Sequence, residues 1–487
     1  MQNREEVKRM PAASWLSISG AAAILLIAFA APASGVAAQV PDTASHEWPA
    51  HGRDALGSRF SPLAQINRDN VNRLTVAWTY NTGEPLPDPG RRRSLEVTPI
   101  VLGGVMYIST PLGKVMALDP VSGREKWRFD AGVEAKIRFG DFTNRGVSAW
   151  QDRIFLATTD ARLIALEAAT GTLIRSFGDS GTVNLRLGLR NAPFEFAEYE
   201  VTSPPAIIGD LVVIGSAVAD NNRTDAATGE VRAYDARSGR LRWSWDPVPQ
   251  DPADAAHSSL SPHNWDGVTP HPDCQQLVRR LRNEGIFTPP SLEGTLVIPS
   301  NIGGAHWGGL AFDPVRQVAV VPVNRLAAMV QLIPASSANL DSLRESRSRI
   351  GYEDTRMRGT PYIMRRKILF VPPDIGCTPG APGALVAIDL KTGTKAWEQP
   401  IAPNLGGPIA TAGGLVFLAA TIDPFIRAFD IDTGREVWKA ALPGGGKATP
   451  MTYRGADGRQ YVVIAAGGDG ETWKASDAIV AFVLPRQ

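Results

Sequence analysis

Hydrophobic and polar positions alternate along this chain in short runs broken by turns, and one turn recurs at a fixed spacing. An apolar run ends on Asp, three residues follow, then Gly, then three more and a Trp. The frame reads Ala117, Asp119, Gly123, Trp127; Ala233, Asp235, Gly239, Trp243; Ala387, Asp389, Gly393, Trp397; and Ala428, Asp430, Gly434, Trp438. A decayed copy has Ala165, Glu167 and Gly171, with Arg175 in place of the Trp and Phe177 after it. The spacing is that of a hairpin, in which Asp caps its own turn and Gly takes the left-handed position of the loop. The Trp falls on the outgoing strand, where a large flat side chain packs between neighbouring sheets. Repetition of the whole frame predicts a repeat protein built of small antiparallel sheets.

Laid out in order, the first sheet covers about 96–130 and the second about 146–177. The third covers about 201–245, with an insertion at 219–229. The rhythm then breaks, since 246–282 is rich in Pro, Asp and His and has no strand pattern. Strand signals return at 285–290 and 294–299. A fourth sheet runs from Trp307 to Trp397 around an insertion, roughly 332–383, that includes a helix-like polar run at 338–349. The fifth covers about 407–440, and the sixth uses 448–453, 461–466 and 478–484. Arg73 to Tyr80 reads as a lone strand with nothing local to pair with. It serves as the fourth strand of the sixth sheet, so that the chain's two ends close a ring and remove its open edges. The prediction is an all-β fold, a β-propeller of about six four-stranded blades.

Composition adds little to this picture and contradicts none of it. The 47 Gly and 38 Pro suit many turns, and a net charge of +1 argues against nucleic acid or an acidic membrane surface as partner. Short basic clusters at Arg91–Arg93, Arg279–Arg280 and Arg365–Lys367 read as solvated loop faces. The N-terminus changes the expected compartment. A basic start (Arg4, Lys8, Arg9), an apolar stretch from Ile18 to Ala33 and a small-residue site at Val36–Ala38 read as a signal peptide over 1–38, or a single anchor if uncleaved. Residues 39–487 form the propeller. In an oxidising compartment the two cysteines, Cys274 and Cys377, favour a disulfide over two free thiols.

These repeats resemble those of the pyrroloquinoline quinone (PQQ)-dependent dehydrogenases, most closely the branch of the membrane-bound glucose and quinate dehydrogenases. The likeness is carried by Trp48–Leu74, Glu200–Pro205, Asn283–Pro290, Leu405–Pro408 and Gly445–Val463, the last containing Ala448-Thr-Pro-Met-Thr-Tyr453. It implies PQQ with Ca²⁺ or Mg²⁺ on the propeller axis and oxidation of a sugar, polyol or cyclic alcohol. It also implies ubiquinone or a cytochrome as electron acceptor, and a periplasmic location, with a membrane anchor if the N-terminal segment is uncleaved. Carried over residue by residue, Thr202 and Ser203 match positions lining the cofactor, and Arg145 matches an arginine beside the quinone. Trp307 matches a tryptophan near the ring system. Asp220 and Asn221 match the pair associated with the metal, whose hard oxygen ligands suit either cation. Without the resemblance these residues read as a turn hydroxyl, a surface arginine, a core Trp and an Asx loop.

The chain departs from the family pattern in one place above all. Between the counterparts of Trp245 and Gly285 relatives carry about two further blades, with an Asp-Leu-Trp-Asp type motif that supplies the catalytic base and a lysine that contacts the quinone. Neither is found here, so the catalytic residue is unknown. Asp266 and Asp273 are candidate substitutes, and His257, His263 and His271, which lack metal-site spacing, read as loop residues. Asp141 stands where many relatives have His, His306 where Asn is common, and Pro322 where an Asn is often placed near the cofactor. The alternative is therefore a non-catalytic propeller, a binding module or decayed enzyme.

Overall fold

The computed structural model describes residues 46–486 apart from 89–91, 138, 141, 220–222, 224, 247–271, 285–287, 301, 338–351, 372–374, 378–380, 420–422 and 471–473. The leader 1–38, the helix-like run 338–349 and most of the irregular link lie outside the described residues. Asp42–Gln487 forms one compact unit, and the repeat frame organises it as predicted. The first sheet is Ile100–Leu102, Val105–Ser109, Lys114–Leu118 and Glu125–Asp130, each strand antiparallel to the next. The third sheet repeats this order, and the fourth and fifth repeat it with an added strand each, Ala311–Asp313 and the parallel Phe60–Ser61; the three end on Leu241–Trp245, Thr394–Ile401 and Glu436–Ala441.

Each hairpin turn works by the chemistry its spacing implies. Asp119 Oδ1 accepts the backbone N–H of Val121 and of Ser122 (3.1 and 2.8 Å), and Gly123 sits at φ +71°. Asp235 and Asp430 hold their turns the same way. On the outgoing strand the Trp of one sheet docks on the glycine turn of the next. Trp127 lies on Gly171 and donates Nε1–H to Ala168 O at 3.0 Å; Trp397 lies on Gly434 and donates to Ile431 O at 2.8 Å. A Cβ at Gly171 or Gly434 would stand 2.4 or 2.5 Å from the docked ring, so glycine is required there for room as well as for φ. Trp78, on the N-terminal strand, docks in the same way on Gly123 and donates to Pro120 O at 3.1 Å.

The ring closes through its termini. Thr75–Asn81 pairs antiparallel with Ala478–Val483, completing the sixth sheet with Met451–Arg454 and Gln460–Ala466. The decayed repeat deviates from expectation. Its fourth strand is Thr182–Asn184 and not the stretch up to Phe177. Lacking a Trp to lay on the neighbour, the chain turns tightly at 174–181, with Ser180 and Gly181 left-handed and Phe177 fully buried. Arg153 takes over the contact, donating Nη1–H to Ala236 O, the carbonyl a Trp would have met (3.1 Å).

Two expectations need correcting. The insertion in the fourth sheet is itself a sheet: Ala328–Pro334, Tyr352–Arg356 and Tyr362–Ile368 join Thr295–Val297 into a side sheet. And Trp243 does not pack between sheets. It is 41 % exposed, beside Trp245 at 53 %. The described part of the irregular link carries a helix, α1 (Pro272–Val278), tied by the Cys274–Cys377 disulfide with Cα atoms 5.3 Å apart. Both cysteines are buried with Leu296, Ala327 and Leu369. Among the described residues no helix is long and apolar enough to cross a membrane.

Candidate functional site

The backbone segments that lead into the sheets meet on the axis. Thr98 N–H donates to Arg145 O and Arg145 N–H to Thr202 O, linking the first three sheets. Thr98 Oγ1 donates to Thr449 O, and Gly407 N–H to Thr449 Oγ1, linking the first sheet to the sixth and the sixth to the fifth. Gly407 and Gly308 join the fifth sheet to the fourth, and a Cβ on Gly407 would stand 2.1 Å from Gly308 O. Sequence-distant residues are thereby brought to one place.

Arg145 and Thr202, expected together, are together. Arg145 Nη1 donates to Thr202 Oγ1 at 2.9 Å, and both residues are buried. The guanidinium also lies 4.2 Å from the ring centroid of Trp307, the third expected residue, whose ring is 41 % exposed. Ser203 is exposed beside Thr202. Asp220 and Asn221 lie outside the described residues, as do Asp141, Asp266, His257, His263 and His271. Asp273 lies exposed in the first turn of α1, next to the disulfide's Cys274. Among the described residues no group of three or more His, Cys, Asp or Glu is placed to hold a metal.

Several site residues had no sequence signal of their own. Glu96 places Oε2 3.0 Å from Arg145 Nη2 and Oε1 3.0 Å from Lys447 Nζ, and Lys447 reaches Asp469 at 3.6 Å. Burial pushes the Glu96 carboxyl up, but the Lys447 ammonium and the Arg145 guanidinium together outweigh it and hold it below the usual range. His51 lies against Arg59, Nε2 to Nη2 at 3.4 Å. Burial first, then the charges of Arg59 and Arg145, push its pKa down to about 3, so the imidazole is neutral at ordinary pH. Arg59 is pulled down to about 10 by burial, and its Nη1 finds no hydrogen-bond partner among the described residues.

His306, in the place of an Asn, takes an amide partner of its own. Gly308 N–H donates to Nδ1 (3.1 Å), so Nε2 carries the proton and donates to Asn404 Oδ1 at 2.7 Å. Burial, then Arg59, lower its pKa against that bond. Pro322 is buried mid-strand opposite Leu385. Two residues on, Asn324 brings the amide that position 322 lacks, bonding Ile302 O, Asn404 O and Asn404 N–H.

The chemistry on offer is anion binding beside an aromatic plane. Arg145 and Lys447 stand against the carboxylates Glu96 and Asp469 and engage both, and Arg59 lies beside His51. Guanidinium, ammonium and hydroxyl donors around a partly exposed indole fit a flat ligand bearing several carboxylates.

The family model described as the β-propeller domain of glucose, ethanol and alcohol dehydrogenases (PQQ) matches residues 48–269 and 254–462. The quinoprotein glucose dehydrogenase of Escherichia coli (strain K12) is 29 % identical, covering 94 % of this chain and 81 % of its own length. The alignment runs over 651 residues, longer than this chain of 487, so the relative carries segments that have no counterpart here. The quinate/shikimate dehydrogenase (quinone) of Acinetobacter baylyi (strain ATCC 33305 / BD413 / ADP1) is 27 % identical, over 90 % of this chain and 79 % of its own length. Among solved structures, a europium-containing methanol dehydrogenase superposes with a TM-score of 0.65 at 18 % identity, covering 90 % of this chain and 98 % of that one. The quinohemoprotein alcohol dehydrogenase of Comamonas testosteroni does so at 0.62 and 21 %, covering 91 % and 82 %. These two show the shared fold.

Proposed function

The chain belongs to the PQQ-dependent glucose, ethanol and alcohol dehydrogenase family through its β-propeller domain, and on that premise we propose that it is an exported oxidoreductase. Its substrate would be a sugar, polyol or cyclic alcohol, its acceptor a quinone or cytochrome and its compartment the periplasm. The relatives' names supply the substrate range, glucose and quinate or shikimate. The observation that carries the reading is the Glu96–Arg145–Thr202 cluster beside Trp307 on the axis. There Arg145, Thr202 and Lys447 would hold PQQ carboxylates and Trp307 would lie along the ring. Asp220 and Asn221 would hold Ca²⁺ or Mg²⁺ from the insertion of the third sheet. Once bound, the quinone supplies hydride acceptance.

A second reading, a propeller that binds without turning over, rests on a specific observation. Among the described residues, the axial carboxylates Glu96 and Asp469 are held by cations, and a carboxylate so held is a weak general base. The loss of a base removes about 10²–10⁴ in rate, and each missing buried charge-assisted hydrogen bond about 1.5–3 kcal/mol of affinity. Titrating PQQ with Ca²⁺ into the purified protein while following tryptophan fluorescence, then adding glucose, quinate or glycerol with a redox dye, separates the readings. The expected result is quenching that saturates at micromolar PQQ or above. Dye reduction supports the dehydrogenase, and saturable quenching without it supports the second reading. No quenching at any PQQ concentration rejects both.

A further inference from the structure

The docking of a Trp on the next sheet's glycine turn is made in full at three junctions, by Trp78, Trp127 and Trp397. At the second-to-third junction Arg153 replaces it, and at the fifth-to-sixth Trp438 packs edge-on against Phe482 at 5.3 Å. Among the described residues, the third-to-fourth junction alone has both halves present and unused. Trp243 is 41 % exposed, and on the same edge strand Leu241 and Trp245 are 43 % and 53 % exposed. Across the junction, the Asp389–Gly393 turn is formed, with Gly393 at φ +69°. A Cβ there would meet nothing within 4 Å, where at Gly171 and Gly434 it would strike an indole. Leu390, whose carbonyl corresponds to the acceptors Pro120, Ala168 and Ile431, is 49 % exposed.

The axial backbone links stop at the same place. They run from Thr202 through Arg145, Thr98, Thr449 and Gly407 to Gly308, and among the described residues none joins Thr202 to Gly308. The family match also divides here, its two stretches overlapping only at 254–269. What spans the junction is the side sheet, whose Arg358 reaches Glu198 at 3.3 Å and also pairs with Glu195.

We propose that this junction is a head-to-tail self-association surface, in which Trp243 of one copy docks on the Asp389–Gly393 turn of a second copy. The occupant follows from the interface already established inside the chain. What covers a Trp in this frame is an Asp-x₃-Gly turn, and the turn left uncovered is this chain's own. A tryptophan anchor seated in a fitted pocket is the kind of residue that carries association energy. The contact is heterologous, so it propagates from copy to copy unless the rotation happens to close a ring.

Sedimentation velocity of the purified protein over a concentration series tests this, with Trp243→Ala and Gly393→Ala as probes. The first removes the donor from an exposed site, and the second puts a methyl where the ring must lie. Wild type is expected to form dimers and longer species, and each variant to weaken that association at least about tenfold. An equimolar mixture of the variants restores one complementary interface, and it should give a dimer that goes no further. Circular dichroism of each variant matching wild type establishes that the fold is kept. A wild type that stays monomeric at every concentration overturns the proposal, whether its own chain or another protein covers Trp243. So do variants that associate like wild type, or a mixture that stays monomeric.

Discussion

Glu96 is nearly inaccessible yet holds a cation on each carboxylate oxygen, Arg145 on one side and Lys447 on the other. Its folded pKa lies below the ordinary carboxyl value despite burial. The stability it contributes is therefore present above the unfolded value of about 4.5 and is lost as pH falls through the folded one. Glu96→Gln leaves two buried cations short of their counter-charge. It should cost about 3–5 kcal/mol at neutral pH and flatten the acid limb of a melting-temperature profile taken from pH 7 downward. A variant profile running parallel to wild type would remove Glu96 from the acid response. His51 contributes to the same limb with the same sign. Its neutral folded form makes stability fall between about pH 6.5 and its folded value near 3, so the steep portion left in Glu96→Gln belongs in part to it. At this scale the sequence exposed Arg145, Thr202 and Trp307 only through family likeness. Glu96, Lys447 and Asn404 carried no signal, because a Glu before a strand, a Lys in a glycine loop and an Asn after Pro are ordinary surface residues until the ring closes around them.

The elements were more legible, because a hairpin is a local object. Asp at its turn, Gly at positive φ and Trp four residues after the Gly are set by chemistry within a dozen residues, and four copies repeated it. What failed needed a partner far away in sequence. The strand Thr182–Asn184 replaced the expected one because no Trp pinned the earlier stretch to its neighbour. The insertion became a sheet because Thr295–Val297 and Ala328–Pro334 offered it an edge. The disulfide was foreseeable from cysteine count and compartment alone. It joins α1 to the stretch beside the side sheet across a sequence separation of 103, and a loop of that size is worth about 4–5 kcal/mol in the simple chain model. Replacing both cysteines by serine should lower stability by that amount or less. The loss should appear first as faster proteolysis within 272–377, since the bridge ties the elements outside the repeats and leaves the docked sheets intact. Equal proteolysis rates with and without the bridge would show that α1 and the side sheet hold their places unaided.

On the scale of the whole molecule, one lock made or unmade decides how far a local change spreads. Trp78 belongs to the first strand of the propeller and completes its last sheet, so it holds the two chain ends to each other and both to the first sheet. It is 9 % exposed. Trp243 has the same place in its own repeat and docks on no glycine turn among the described residues. Removing the junction at Trp78 opens an edge on either side of it, beside the one already unmade at Trp243. Trp78→Ala deletes a buried indole and its hydrogen bond to Pro120 O, which should cost about 3–5 kcal/mol and lower a single cooperative transition. Trp243→Ala, at concentrations dilute enough that copies do not meet, should fall within about 0.5 kcal/mol of wild type. Urea unfolding of the two variants side by side reads the difference directly. Equal losses would mean that Trp243 is covered within its own chain and that the ring has no unmade junction. A loss at Trp78 confined to a minor early phase would mean that the termini fray without opening the ring, and that closure through the chain ends is not what holds the sheets together.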